Sequence, residues 1–310
     1  MASITHKPPF ANDRIVLGTM LMLGFCLTAP LLDVCAKLAA ATIPVGQVTG
    51  ARFLVQSLIM LPALILWRYP LRFDPSLLRL LFARALLLVL STFCFVAAIA
   101  SMPIADALAI AFVEPFLLLL IGKYALAEKV GPRRLAACAV GFGGVLLVIQ
   151  PSFEAFGAVA LFPLGTALFF ALYMLITRAL SRRIQAAPMQ FHSAWIGTLI
   201  CLPILLLAEG SGIESLDPVM PQGIFWFFLI GVGAASSLSH LLMSLALSYA
   251  PATVLAPLHY LELVSAAALG YLVFKDTPNE MALAGMVVVI GCGLYIIHRE
   301  RVQERRTKGA

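Results

Sequence analysis

Charged residues are scarce in this sequence. Only 12% of the 310 residues are Asp, Glu, Lys or Arg, whereas 62% are hydrophobic. A soluble protein of this size would carry charge on about a quarter of its residues. No polar interval is long enough to fold by itself, and the chain is built of apolar runs close to the length of about 20 residues that a membrane-spanning helix needs. We therefore predict a polytopic membrane protein that has the lipid bilayer as its partner.

The residue spacings of metal sites and of nucleophilic catalysis are also missing. The six cysteines stand singly within or near apolar runs, where they are typical small packing residues. We expect no metal, no cofactor and no enzymatic activity. The formal net charge of +6 does not indicate nucleic-acid binding, because the Lys and Arg residues lie in short loops between apolar runs.

Ten apolar runs predict an all-α fold of ten transmembrane helices. The runs are continuously apolar and lack the alternation of a transmembrane barrel strand. The predicted helices cover residues 15–36, 45–67, 80–101, 104–123, 132–150, 158–178, 188–208, 222–248, 252–274 and 281–298.

Basic residues mark one side of the predicted membrane domain. With the N-terminus inside, Lys and Arg gather in alternate loops and in the C-terminal tail, whereas the other loops carry mainly acids. This positive-inside bias predicts a multi-pass membrane protein with both termini in the cytoplasm. The inside group comprises Lys7, Arg14, Arg68, Arg72, Arg79, Arg84, Lys123, Lys129, Arg133, Arg134, Arg178, Arg182, Arg183 and the basic tail.

The stretch from Ser101 to Gln150 recurs near the C-terminus, where Glu262 occupies the position of Glu114. Five helices in each half would start the second half on the opposite side of the membrane. We therefore predict two inverted five-helix repeats, 1–151 and 152–310, the second carrying the basic cytoplasmic tail. Inverted repeats are typical of secondary transporters that open one site alternately to each side.

Glu114 and Glu262 are the first candidates for a transport site. Each follows a proline by 11 residues inside an apolar run, which is about 16 Å along a helix and close to the midplane of the bilayer. A carboxylate at that depth is costly, so a repeated one suggests a role in binding substrate or carrying a proton. The alternative is a protonated Glu that bonds across a helix interface.

Taken together, these motifs resemble the EamA branch of the drug/metabolite transporter superfamily. The resemblance implies a ten-helix inner-membrane carrier, with helices 1–4 and 6–9 around a central cavity and helices 5 and 10 at the periphery. It departs from the family pattern at Leu263, which stands where a proline would follow Glu262. The residues that carry it are Glu114-Pro115, Gly122, Ala127-Glu128 and Gly141–Gly144, and in the second copy Glu262, Gly270, Asp276, Gly285 and Gly291.

Residues next to the two glutamates complete one group of candidates. Pro115 and Pro257 are predicted hinges, because proline removes a backbone donor from its helix. His259 shares a helical face with Glu262 and could tune its carboxylate or contact substrate, or simply pack. Phe112 and Tyr260 each lie two residues before a glutamate, where they could stack on a flavin or an aromatic amino acid, or serve as core aromatics.

Arg52 and His240 form a second group. Arg52 lies too deep in its helix for its charge to reach the interface comfortably, and the simplest arrangement pairs it with Asp33. Such a pair could be structural, or Arg52 could act as a gate or an anion clamp. His240 belongs to a polar stripe with Ser237, Ser244 and Ser248, which could line a cavity or pack between helices.

The combined prediction is a secondary active carrier for a small organic metabolite, such as riboflavin or another vitamin, an amino acid or a related compound. Alternating access, with possible proton coupling, would move the small-molecule substrate. Export instead of import, and a non-transporting membrane assembly subunit, remain alternatives. The glycines near 141–144 and 285–293 either pack helices within the chain or form a homodimer contact.

Overall fold

A computed structural model describes residues 15–66, 69, 74–114, 116–117, 120–121, 132–180, 183–249 and 261–308. Within these ranges the chain is helical and contains no strand, which confirms the all-α prediction. The helices with described bounds are α1 (Ile15–Ala40), α2 (Val45–Leu66), α3 (Pro75–Ile99), α4 (Ile104–Ala111), α5 (Pro132–Phe156), α6 (Phe162–Leu180), α7 (Ala186–Ala208), α8 (Phe225–Tyr249), α9 (Leu261–Phe274) and α10 (Glu280–Lys308).

Six helical segments of the described chain are long and apolar enough to cross a membrane. A chain with this many spans is a multi-pass membrane protein. The full count of ten membrane crossings stays a prediction. The six segments are Val16–Ala40, Val45–Leu66, Pro75–Ile99, Ser152–Thr177, Ala186–Ala208 and Phe225–Ala246.

Several helix bounds differ from the predicted ones: α1 ends at Ala40 instead of residue 36 and α10 at Lys308 instead of residue 298, and three further differences have local reasons. α3 begins at Pro75 instead of residue 80, because proline is well tolerated at the first position of a helix, here after the N-cap Asp74. α5 continues to Phe156 and is followed by a 3₁₀ turn at Gly157–Leu161. α4 has regular geometry only to Ala111, so the predicted continuous helix over 104–123 is interrupted.

The helices pack in pairs that correspond between α1–α5 and α6–α10. α1 packs on α8 as α6 packs on α3, and α2 packs on α8 as α7 packs on α3. α1 also contacts α9 as α6 contacts α4. The pairs α2 with α7, α4 with α9 and α5 with α10 are their own counterparts. This is the set of contacts that a twofold exchange of the two groups of helices would preserve.

Close packing of α5 on α10 depends on two glycines. A Cβ atom placed on Gly285 would lie 2.6 Å from the carbonyl oxygen of Gly144, so neither position has room for a side chain. Gly143 and Gly291 have no atom within 4 Å of such a Cβ. The glycine-rich runs therefore contribute at least one packing contact within the chain itself. This is the contact expected from the first of the two sequence interpretations, in which the glycines pack helices within one chain.

Candidate substrate cavity

A cavity of about 150 Å³ lies among helices α1, α2, α3, α4, α6, α8 and α9. A cavity of about this volume holds one benzene-sized ring. Neither α5 nor α10 contributes to its wall in the described chain, which agrees with the peripheral position that the family resemblance implied for them. Its polar lining residues are Asp33, Arg52, Ser91, Thr92, Glu114, Thr166, Ser239, His240 and Glu262.

The cavity brings together the sequence candidates whose structure is described. They come from three different helices and from the chain just beyond α4, and most pairs among them are separated by more than a hundred residues in sequence. These candidates are Arg52, Phe112, Glu114, His240 and Glu262. The other four candidates lie outside the described residues, so their roles stay predictions. These are Pro115, Pro257, His259 and Tyr260.

Glu114 lies immediately after the interruption of α4. The backbone N–H of Val113 donates to the carbonyl of Ile110 at 3.1 Å, which is a tighter turn than an α-helix makes. The chain is helical again at Glu114, whose side chain is buried. Glu262 is equally buried and lies in the first turn of α9. Both carboxylates therefore face the same cavity from α4 and α9, which contact each other.

Arg52 is held by neutral groups of α3 and α8. Its Nε donates to Ser236 Oγ at 2.9 Å, and its Nη1 donates to Thr92 Oγ1. Its Nη2 lies 2.8 Å from His240 Nε2. An arginine can only donate, so His240 Nε2 must accept, and the geometry assigns a neutral imidazole with its proton on Nδ1.

The predicted pairing of Arg52 with Asp33 is wrong. Within the described chain Arg52 forms no ion pair, because hydroxyl and imidazole acceptors on α3 and α8 surround its guanidinium. Asp33 is 5% exposed and lines the cavity, and in the described part of the chain no hydrogen bond or ion pair reaches its carboxylate. Lys37, one turn further along α1, binds elsewhere.

Arg84 is a buried polar group that the sequence reasoning missed. Counting it among the basic residues of the inside loops was wrong, because it lies within α3 with a fully buried side chain. It donates to Thr177 Oγ1 at 2.8 Å, to Tyr173 Oη at 2.5 Å, to the carbonyl of Met189 at 3.3 Å and to Ser193 Oγ. The signal that identifies Arg84 as a buried residue is its depth in the helix, which becomes apparent when the helix is known to begin at Pro75.

We call Arg84 with its acceptors on α6 and α7 the arginine cluster. Arg84 lies one helical turn before Leu88, a residue of the cavity wall, and so this cluster lies next to the end of the cavity where α3 begins. Its guanidinium also stacks over the Tyr173 ring, 4.4 Å from the ring centroid. The cluster joins α3 of the first group of helices to α6 and α7 of the second.

A second polar group, the lysine cluster, lies next to the other end of the cavity. Lys37 Nζ lies 2.7 Å from Asp276 Oδ2 and donates to the carbonyl of Met102 at 3.0 Å. Asp106, in the first turn of α4, adds a further charge near this ion pair, and its Oδ1 has no hydrogen-bond partner in the described chain. Lys37 follows the cavity-lining residue Ala36. This cluster therefore joins α1 and α4 to the segment just after α9.

Comparison with known proteins identifies the family. The model of the EamA-like transporter family matches residues 16–150 and again residues 157–298. The chain belongs to the EamA-like transporter family. Two consecutive matches to one family model agree with the internal repeat seen in the sequence.

Its relatives carry transporter names. The chain is 25% identical to a pseudopaline exporter of Pseudomonas aeruginosa, over 90% of this chain and 96% of the relative. It is 27% identical to an S-adenosylmethionine uptake transporter of Rickettsia bellii, over 87% and 89% of the two chains. It is 29% identical to a riboflavin transporter of Rhizobium johnstonii, over 72% and 71%. These names point to transport and not to catalysis.

A crystal structure supports the fold alone. It superposes with a TM-score of 0.64 over 93% of this chain and 99% of the solved chain, at 16% sequence identity.

Proposed function

We propose that this EamA-family chain is a secondary active carrier that moves a small organic metabolite across the cytoplasmic membrane by alternating access. The observation that carries the proposal is the position of the cavity. Buried charged groups line it, and a polar cluster that joins the two groups of helices lies next to each of its ends. A carrier needs one site between two closures that open in turn.

The proposed topology is ten transmembrane helices in two inverted repeats, 1–151 and 152–310, with both termini in the cytoplasm. The corresponding helix contacts support this arrangement, since α1 on α8 matches α6 on α3. The basic residues of the alternate loops support the orientation. In this topology the arginine cluster faces the cytoplasm and the lysine cluster faces the outside. A homodimer through the remaining glycine surface, where Gly143 and Gly291 are open, stays part of the proposal.

The first test removes the charge from the two buried glutamates. Glu114→Gln or Glu262→Gln should lower solute flux in reconstituted vesicles by about tenfold or more, because a buried carboxylate that binds substrate or a proton is worth more than about 1.4 kcal/mol. Riboflavin, S-adenosylmethionine and amino acids are the solutes to try, by analogy with the relatives. Imposing a pH gradient on the same vesicles tests whether protons drive the flux.

Glu209→Gln is the matched control, because Glu209 is exposed at the end of α7 and lies away from the cavity. Unchanged flux in both cavity variants would refute the role of the glutamates. If the unaltered protein moves none of these or any other solute, the chain is better explained as a non-transporting assembly subunit. Import and export are distinguished by loading the solute on one side of oriented vesicles.

A further inference from the structure

The carboxylate of Asp33, in the cavity wall, accepts no hydrogen bond and forms no ion pair within the described chain. Its side chain is more than nine-tenths buried and lines the cavity, and the nearest basic residue along α1, Lys37, already bonds to Asp276 and to the Met102 carbonyl. Burying a carboxylate without a partner is costly. A ligand that brings a positive charge into the cavity would remove that cost.

The other charged groups of the described wall also favour a positively charged ligand. Glu114 and Glu262 add two carboxyl groups, and Arg52 is the single basic side chain. Each of the three guanidinium nitrogens of Arg52 already contacts a protein acceptor. The assigned tautomer leaves His240 neutral. These neutral acceptors leave the positive charge of Arg52 in place, where it acts electrostatically on Asp33, but the described wall still holds three acids and one base.

Aromatic rings form much of the apolar wall of the cavity. Rings of this kind attract cations over their faces and pack against the flat face of an aromatic ligand. The cavity volume of about 150 Å³ suits one aromatic ring. The four phenylalanines of the wall are Phe25, Phe95, Phe112 and Phe170.

We propose that the cavity selects organic cations that carry an aromatic ring, and that Asp33 contacts their cationic centre. The inference rests on the proposed carrier function, whose substrate class it names. An ammonium or sulfonium group beside Asp33 would form the ion pair that Arg52 does not supply. A substrate whose only charge is negative would instead meet three carboxyl groups.

The experiment uses three probes that share an indole ring and differ in charge: tryptamine, tryptophol and indole-3-propionate. Their affinities for the purified full-length protein in detergent are measured by calorimetry. The cation should bind about tenfold more tightly than the neutral alcohol, because a charge-assisted contact to a carboxylate is stronger than a neutral one. Asp33→Asn should remove this preference while leaving the affinity for tryptophol within about twofold.

Two control variants complete the design. Asp33→Glu should keep the preference for the cation, and Asp74→Asn should leave all three affinities unchanged because Asp74 is exposed before α3. The proposal is overturned if the alcohol or the carboxylate binds as well as the amine, if the preference survives in Asp33→Asn, or if none of the three probes binds.

Vesicle flux separates this inference from the carrier proposal. Selective binding of the cation without any flux would reject the carrier and leave the inference standing. Flux of neutral or anionic solutes, with no preference for the cation in binding, would reject the inference and leave the carrier standing.

Discussion

At the scale of the residue, Arg52 depends on the shape of its side chain as much as on its charge. Its guanidinium joins α2 to Thr92 on α3 and to Ser236 and His240 on α8. Ser236 is in turn 3.3 Å from Gln56 Oε1, so this contact extends back to α2. A planar fork can reach acceptors in three directions, whereas a lysine ammonium is a single point on a flexible stem.

We therefore expect Arg52→Lys to destabilise the protein even though it keeps the charge. The variant leaves at least one buried acceptor of the network without its donor, at a cost of about 1–3 kcal/mol. The midpoint of thermal unfolding in detergent should fall accordingly. Arg79→Lys is the control, because Arg79 is exposed on α3. Equal unfolding midpoints for the two variants would contradict this account of Arg52.

At the scale of the element, α4 and α10 differ in how they respond to residues that disfavour a helix. α4 loses its regular geometry at Phe112 and Val113. Glu114 follows directly in the sequence, and Pro115 is the next residue. Proline has no backbone N–H to donate to the preceding turn, so the sequence favours an interruption of the helix in this stretch. α10 instead stays regular across Gly285, where close contact with α5 compensates for the low helix propensity of glycine.

Two alanine substitutions in α10 should therefore have different effects. Gly285→Ala places a methyl group 2.6 Å from the Gly144 carbonyl oxygen and 2.6 Å from Val148 Cγ2. Such overpacking should lower the free energy of unfolding by about 1–3 kcal/mol, because backbone cannot move aside easily. Gly291→Ala meets no atom within 4 Å and should be neutral or slightly stabilising.

Denaturant unfolding of the purified variants measures this difference. A loss of stability in Gly291→Ala as large as that in Gly285→Ala would show that the glycines act through another surface, such as a contact between two copies of the chain. The oligomeric state of each variant should be recorded in the same detergent to recognise that outcome.

At the scale of the whole molecule, the lysine and arginine clusters lie at opposite ends of one cavity. Each joins the first group of helices to the second, so opening either end requires its contacts to break. The lysine cluster is partly exposed, with side-chain exposures of 16% for Lys37 and 26% for Asp276, whereas Arg84 is fully buried. We expect the arginine cluster to be the firmer closure, since buried contacts are less screened by water.

Breaking each cluster should open the cavity to a different side of the membrane. A cysteine placed at Ser91 in the cavity wall reports access by its reaction with a membrane-impermeant thiol reagent. Lys37→Gln should raise the reaction rate from the outside and Arg84→Gln from the inside. Destabilising the closed state by about 1 kcal/mol shifts the equilibrium between the closed and open states about fivefold.

Two variants that each remove a charge outside the clusters are the controls for this measurement. Lys275→Gln and Arg79→Gln remove exposed cations near the same two ends, and neither should change access to the cavity. The protein without Ser91→Cys corrects for the native cysteines. Increased reaction from the same side for both cluster variants would contradict the assignment of the clusters to opposite ends.

The sequence by itself determined the class of the molecule. Scarce charge and long apolar runs restrict a chain to membrane helices, because lipid cannot satisfy an exposed backbone. The repeat around Glu114 and Glu262 also predicted a buried polar site, since a carboxylate is kept at such depth only at a cost. Five of the nine candidate residues line one cavity of the described chain, and their roles there stay predictions: Arg52, Phe112, Glu114, His240 and Glu262.

The partners of each charge were decided by the tertiary structure alone. Spacing along α1 favoured Asp33 as the partner of Arg52, yet the packing of α2 between α3 and α8 supplies nearer acceptors from distant parts of the chain. The same packing buries Arg84 between α3, α6 and α7, although its neighbours in sequence suggest a loop. Helical periodicity fixes which residues share a face, but only the packing of helices decides which faces meet.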